Sequence, residues 1–367
     1  MKNLYHKTLT ITSALFLVNQ SAHAQGLDIV INPGADLLAN PVALAAFERA
    51  AVQWESIFTD PIIVTIDADL TPLASPTTLG QAGSVSLVGG FDLVRNTLVA
   101  DSASETDDTI VSFLPTSTNF TADLPADFAL SGNLSANKAN LKAIGVTGLD
   151  ALFGATDATI TFNSSFTFDF DNTDGITPGQ FDFEAVAAHE IGHALGFVSE
   201  VDTVDFLIAQ TAGIGNAFET QAALDAAKQN ISPALFDLFR FSDTINPSNT
   251  AEFSTFERAL SPGGVSLFDE VIENFIPGSE ALLSTGEFTG DGEQASHWQD
   301  TPGSGTSIGL LDPTLASGEL GVITTADIRA LDLIGYDVDL TVFSPVPEPS
   351  SVLLASLSLL FLGRRRR

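Results

Sequence analysis

The chain is predicted to fold as a mixed α/β (α+β) protein: a twisted sheet, a site-bearing helix, and a mostly helix-and-loop C-terminal part. Three observations predict this. Residues 159–171 place Ile160, Phe162, Phe166, Phe168 and Phe170 on alternate positions, the period of a strand. An acidic turn, Asp171-Asn172-Thr173-Asp174-Gly175, then breaks the pattern. Asp182 is next placed to cap a helix through Glu184, Val186, Ile191 and Leu195, with Gly196 ready to end it.

The remaining elements follow from local chemistry. Lys2 and Lys7, an apolar stretch at 11–18 and Ser21-Ala22-His23-Ala24 read as a secretory signal, with cleavage expected after Ala24. Ile29-Val30-Ile31 is a first strand. Asn40-Pro41 starts a helix, supplying an amide cap and a proline at the first helical position. Phe47, Ala50, Ala51, Trp54 and Phe58 lie on one face of it, and Pro61 stops it. A second strand is expected at 62–66, loops at 71–90 where Gly, Pro, Ser and Thr dominate, and a helix at 92–102. Residues 199–296 are mixed, with a helical stretch near 218–228. Thr324 and Thr325 can cap a last helix through Ile328, Leu331 and Ile334 that ends at Gly335. The expected organisation is a signal at 1–24, a subdomain carrying the site helix at 25–198, a second subdomain at 199–345, and a sorting tail at 346–367.

Composition narrows the function. Between residues 25 and 345 there are eight basic and 45 acidic residues, a formal charge of −37. Such a surface repels nucleic acid and anionic membranes. It suits a soluble exported protein. There is no cysteine, so neither a disulfide nor a thiol nucleophile is available.

The chemistry lies in His189-Glu190-Ile191-Gly192-His193. With five histidines in 367 residues, such a motif is expected by chance only about 0.003 times. Residues four apart on a helix are neighbours, with Cβ atoms about 5–6 Å apart, so both imidazoles can reach one ion. Glu190 projects at another angle, suited to take the proton of a water activated at zinc. Downstream, Glu200, Asp202 and Asp205 are acidic candidates for a third ligand. Asp169, Asp171, Asp174 and Asp182 can be read as a Ca²⁺ site, but their spacing does not match an EF-hand, and that mismatch favours solvated turn and cap roles for them. Tyr336 is a possible oxyanion donor or a structural aromatic.

Two resemblances add to this reading. The tail, Val346-Pro347-Glu348-Pro349 followed by an apolar run and Arg364 to Arg367, resembles the PEP-CTERM sorting signal of Gram-negative bacteria. That implies export, transient anchoring in the inner membrane, an exosortase-type enzyme as partner, and a final secreted or cell-surface location. The apolar run is short for a comfortable membrane span of about 20 residues, and a plain C-terminal anchor is its alternative. The extended motif 189–197 resembles the metzincin zinc proteases, whose fold is α/β (α+β) and zincin-like. Their usual third histidine would fall at Ser199, so that compact pattern is excluded. Leishmanolysin-like members instead insert a segment before the third ligand, which implies His189, His193 and His297 as zinc ligands and Glu190 as the general base.

A methionine turn is also expected in such enzymes. The only methionine is Met1, and Leu311 in Gly309-Leu310-Leu311-Asp312-Pro313 is placed to fill that position. Over much of the body the chain is similar to a bacterial family of exported, PEP-CTERM-tagged predicted metalloproteases. The shared residues are Trp54, the 189–197 helix, Ser296-His297-Trp298, Leu311-Asp312-Pro313 and the segment 327–336.

The function expected is that of a secreted zinc endopeptidase. It would take an extended polypeptide along the edge of the 159–171 strand. The alternatives are a non-catalytic extracellular matrix or surface protein with a structural zinc, and a metal-dependent hydrolase of something other than peptides, such as a cell-wall amide.

Overall fold

The computed structural model describes residues 26–211, 217–218, 220–270, 281–300 and 307–338. The expected signal and sorting tail lie outside the described residues.

The main sheet has four strands: β1 (Asp28–Pro33), β2 (Ile63–Thr71), β3 (Gly80–Ser84) and β4 (Ala158–Asn163), in the order β1-β2-β4-β3. The first three neighbours in that order run parallel, pairing Asp28 with Ile63 and Ile66 with Ala158. β3 closes the row antiparallel, with Gly80 opposite Phe162 and Ser84 opposite Ala158. Val64, Ile66 and Ala68 of β2 and Ala158, Ile160 and Phe162 of β4 are buried, so alternate positions feed the core.

Two helices pack into that core. Helix α1 (Pro41–Glu55) begins where Asn40 accepts a hydrogen bond from the Ala43 amide, with Pro41 at its first position. It buries Ala43, Phe47, Ala50 and Trp54. Helix α2 (Phe183–Leu195) is capped by Asp182, whose carboxylate accepts from the Ala185 amide, and ends at Gly196 with φ 128°. The Trp54 indole donates to the Ala188 carbonyl at 2.9 Å, fixing α1 against α2 in register. Phe162 stands between the layers, with ring centroids 5.2 Å from Phe47 and 4.6 Å from Phe183.

Beyond Gly196 come helix α3 (Val201–Thr211), a helix at Gln221–Lys228, a three-stranded antiparallel sheet and helix α4 (Thr325–Asp332). The largest hydrophobic cluster runs across position 198, joining Trp54 and Phe183 to Phe236, Trp298, Leu331 and Tyr336.

Three expectations need correcting. Residues 71–90 are not all loop: β3 and a further strand at Ser86–Gly90 lie there. Glycine-rich Gly80-Gln81-Ala82-Gly83-Ser84 has little strand propensity, and backbone pairing with β4 overrides it. The alternation at 159–171 does not form one strand. β4 stops at Asn163, whose buried side chain bonds the Leu73 and Ser165 amides and the Ser75 and Thr78 carbonyls, which favours a turn there. Finally, β4 has a neighbour on each side, so the open edge beside α2 belongs to β3.

Candidate metal centre

His189 and His193 occupy successive turns of α2, and their rings stand 4.7 Å apart. His297 arrives from a loop more than a hundred residues away in sequence. The three Nε2 atoms converge: 3.0 Å between His189 and His193, 3.1 Å between His193 and His297, and 3.2 Å between His189 and His297.

The other nitrogen of each ring decides what this convergence means. Nδ1 of His189 lies 2.8 Å from the Leu310 carbonyl, that of His193 2.8 Å from the Phe197 carbonyl, and that of His297 3.1 Å from the Gln294 carbonyl. A carbonyl only accepts, so each Nδ1 carries the proton. Three Nε2 lone pairs then face one another with no hydrogen between them, an arrangement that repels unless a cation sits among them. Burial pushes all three pKa values down, to about 3 for His193, where the neighbouring His189 adds to the effect. The rings are therefore neutral, the form that binds metals. Nitrogens held tetrahedrally at about 2.0–2.1 Å from zinc stand about 3.3–3.4 Å apart, close to the spacing observed. The three residues fit a zinc ion.

Glu190 is not part of the converging set. It is 6 % exposed and turned toward β3, where the Ala82 backbone donates to it. A Cβ on Gly80 would stand only 2.8 Å from Glu190 Oε1, so glycine there lets strand and carboxylate approach. Burial raises the Glu190 carboxyl to about 8, with the Ala82 bond partly opposing it. Beneath α2, a Cβ on Gly192 would meet Leu311 Cδ1 at 2.9 Å, so the fully buried Leu311 packs directly under the turn between the two histidines.

The loop bearing His297 is held by polar groups that its local sequence does not announce. Asp202 of α3 accepts from the Ala295 amide at 2.6 Å, from the Ser296 amide at 3.1 Å and from the Ser296 hydroxyl. The Ser296 oxygen accepts in turn from the Ser199 amide. Arg240, fully buried, donates to the carbonyls of Ala295 and Ser284. The acidic alternatives to His297 are engaged elsewhere: Asp202 as just described, Asp205 with the amides of Phe288 and Thr289, and neither belongs to the three-nitrogen group. Glu200 likewise lies outside that group.

The remaining candidates are placed as follows. Asp169 accepts from the Asp171 and Thr177 amides, Asp171 bonds Thr173, and Asp182 caps α2, so three of the four acids read as a Ca²⁺ site are occupied by turn and cap bonds. The Tyr336 hydroxyl donates to the Leu195 carbonyl at 2.7 Å in a fully buried position, a structural role. The carbonyls of Phe197, Gln294 and Leu310, and the approach of Gly80, had no signal in the sequence; each depends on chain segments meeting in space.

Comparison with known proteins bears on the tail. Residues 345–367 match the PEP-CTERM protein-sorting motif. No curated protein and no solved structure matches the chain. Among the described residues no helix is long and apolar enough to cross a membrane. The tail therefore marks an exported protein, transiently anchored through its C-terminus and bearing the signal that exosortase-type sorting enzymes recognise.

Proposed function

We propose that the protein is an exported zinc-dependent endopeptidase with a metzincin-like, α+β arrangement and a leishmanolysin-like third ligand. The observation that carries this reading is the convergence of three Nε2 atoms, each ring facing a carbonyl with its other nitrogen, which leaves the Nε2 lone pairs free to ligate. His189, His193 and His297 would hold the ion. When bound, zinc supplies Lewis acidity that polarises a carbonyl and lowers the pKa of water toward 7.

The chain's own residues do the rest. The carboxyl of Glu190, beside the histidines and facing β3, would have its pKa lowered from the buried value of about 8 by a cation held at those histidines. In its ionised form Glu190 takes a proton from the attacking water and returns it to the leaving amine. β3 offers an extended backbone edge next to that carboxylate, the kind of edge to which a polypeptide can add as a further strand. A structural zinc would close the fourth position with another protein ligand. Among the described residues the converging group contains three histidines and no fourth member.

The test is hydrolysis of casein or gelatin by the purified protein. The expected result is activity that a chelator abolishes and zinc restores, with Glu190→Gln reducing the rate about 10²-fold or more while zinc remains bound. Hydrolysis that survives in Glu190→Gln, or zinc binding with no amide hydrolysis across a substrate panel, would remove the peptidase reading.

A further inference from the structure

We infer that Asp327 is a positioning residue for the metal centre, a single buried carboxylate that ties the segment carrying His297 to the segment that orients His189. The inference rests on the zinc reading above.

Asp327 is completely buried and accepts five hydrogen bonds. Its Oδ1 takes the Trp298 indole N–H at 2.8 Å and the Leu311 amide at 3.1 Å. Its Oδ2 takes the Leu310 amide at 2.7 Å, the Thr324 amide at 2.7 Å and the Thr324 hydroxyl at 3.0 Å. Two of these partners sit one covalent step from the site. Trp298 follows His297, and Leu310 supplies the carbonyl that holds the His189 ring by its Nδ1. The Trp298 amide also donates to the Leu311 carbonyl at 2.9 Å, so the two segments are joined twice.

A carboxylate is the side chain this place demands. Every group facing it is a donor, and a carboxylate is the one short side chain with acceptors only. An amide would turn N–H groups against N–H groups. Space is made for it as well: a Cβ on Gly309 would stand 2.3 Å from Asp327 Oδ1, so the glycine lets the backbone close over the carboxylate. Asp327 also completes the capping box of α4 with Thr324, and a purely structural role would end there. The bonds to Trp298 and Leu310 go beyond capping. They set the distance between a ligand from a loop and a ligand from a helix, as partners behind metal ligands do.

The experiment compares full-length wild type, Asp327→Asn and Trp298→Phe. Zinc affinity is measured by competition with a chromogenic chelator, and the Co²⁺-substituted proteins are examined by ligand-field absorption. Circular dichroism reports the folded fraction. Asp327→Asn is expected to bind zinc about 10–100-fold more weakly in its folded form, with an altered Co²⁺ band. Trp298→Phe removes one donor to the carboxylate and leaves the cap intact, so a smaller loss in the same direction is expected; it carries the test if Asp327→Asn does not fold. Wild-type affinity and an unchanged Co²⁺ spectrum in the folded variants would overturn the inference alone. A wild type that binds no zinc would overturn the metal-centre reading, and this inference with it.

Discussion

At the scale of single residues, the site depends on which atoms accept and which donate. His189, His193 and His297 each give Nδ1 to a carbonyl, and that one choice turns all three Nε2 lone pairs inward. The spacing of His189 and His193 was legible because four residues are about one helical turn. His297 was reached only through the family resemblance and not through spacing, because the placement of its loop depends on Asp202, Arg240 and Asp327, which bond the neighbouring Ala295 and Trp298 from distant elements. Gly80 was invisible as a site residue for the same reason. Its substitution supplies a sharp check: the Cβ of Gly80→Ala would stand 2.8 Å from Glu190 Oε1. Displacement of that carboxylate is expected to lower kcat for peptide hydrolysis about tenfold or more, with zinc affinity unchanged. Equal kcat in variant and wild type would separate Glu190 from the chemistry.

At the scale of elements, local signals served well wherever they were sufficient by themselves. The caps at Asn40, Asp182 and Thr324 are all formed as their side-chain chemistry requires. Helix α3 and strand β3 were missed because neither has a strong local signature, and β3 exists through its partner strand. The end of α2 shows how an element boundary serves the site. Gly196, at φ 128°, turns the chain so that the Phe197 carbonyl comes back to the His193 ring at 2.8 Å. A Cβ there would meet the Asn140 amide oxygen at 2.0 Å. Gly196→Ala is therefore expected to lower unfolding stability by about 1–3 kcal/mol and to weaken zinc binding as well. Urea denaturation and metal titration would reveal it; a variant as stable as wild type would contradict the packing described for this turn.

At the scale of the whole molecule, the large acidic excess leaves carboxylates crowded in partly dry places. Burial, and then the neighbouring Asp337, raises Asp60 to about 8, while burial and Asp337 raise Asp101 to about 7. Burial, then Asp237, raises Glu200 to about 8. These groups hold protons more tightly in the native state than in the unfolded chain, where carboxyls titrate near 4. Their contribution to stability is full below about pH 4 and is lost as pH climbs through 7 to 8. Below about pH 6.5 the three buried, neutral histidines act in the opposite sense, because unfolding lets them take up protons. The clean window is therefore pH 7 to 9, where the urea midpoint is expected to fall as pH rises. A midpoint that climbs across that interval would contradict the burial of these acids. The charge imbalance itself was plain in the composition, but which acids would be crowded was not, since Asp60, Asp101 and Asp337 come together only in the folded chain.

The most direct test of the central claim is zinc stoichiometry in purified wild type and His297→Ala. One tightly held zinc per chain in wild type, with weakened binding and lost peptidase activity in the variant, is the outcome the three-imidazole centre requires. Full zinc affinity and activity in His297→Ala would show that the loop histidine is not a ligand.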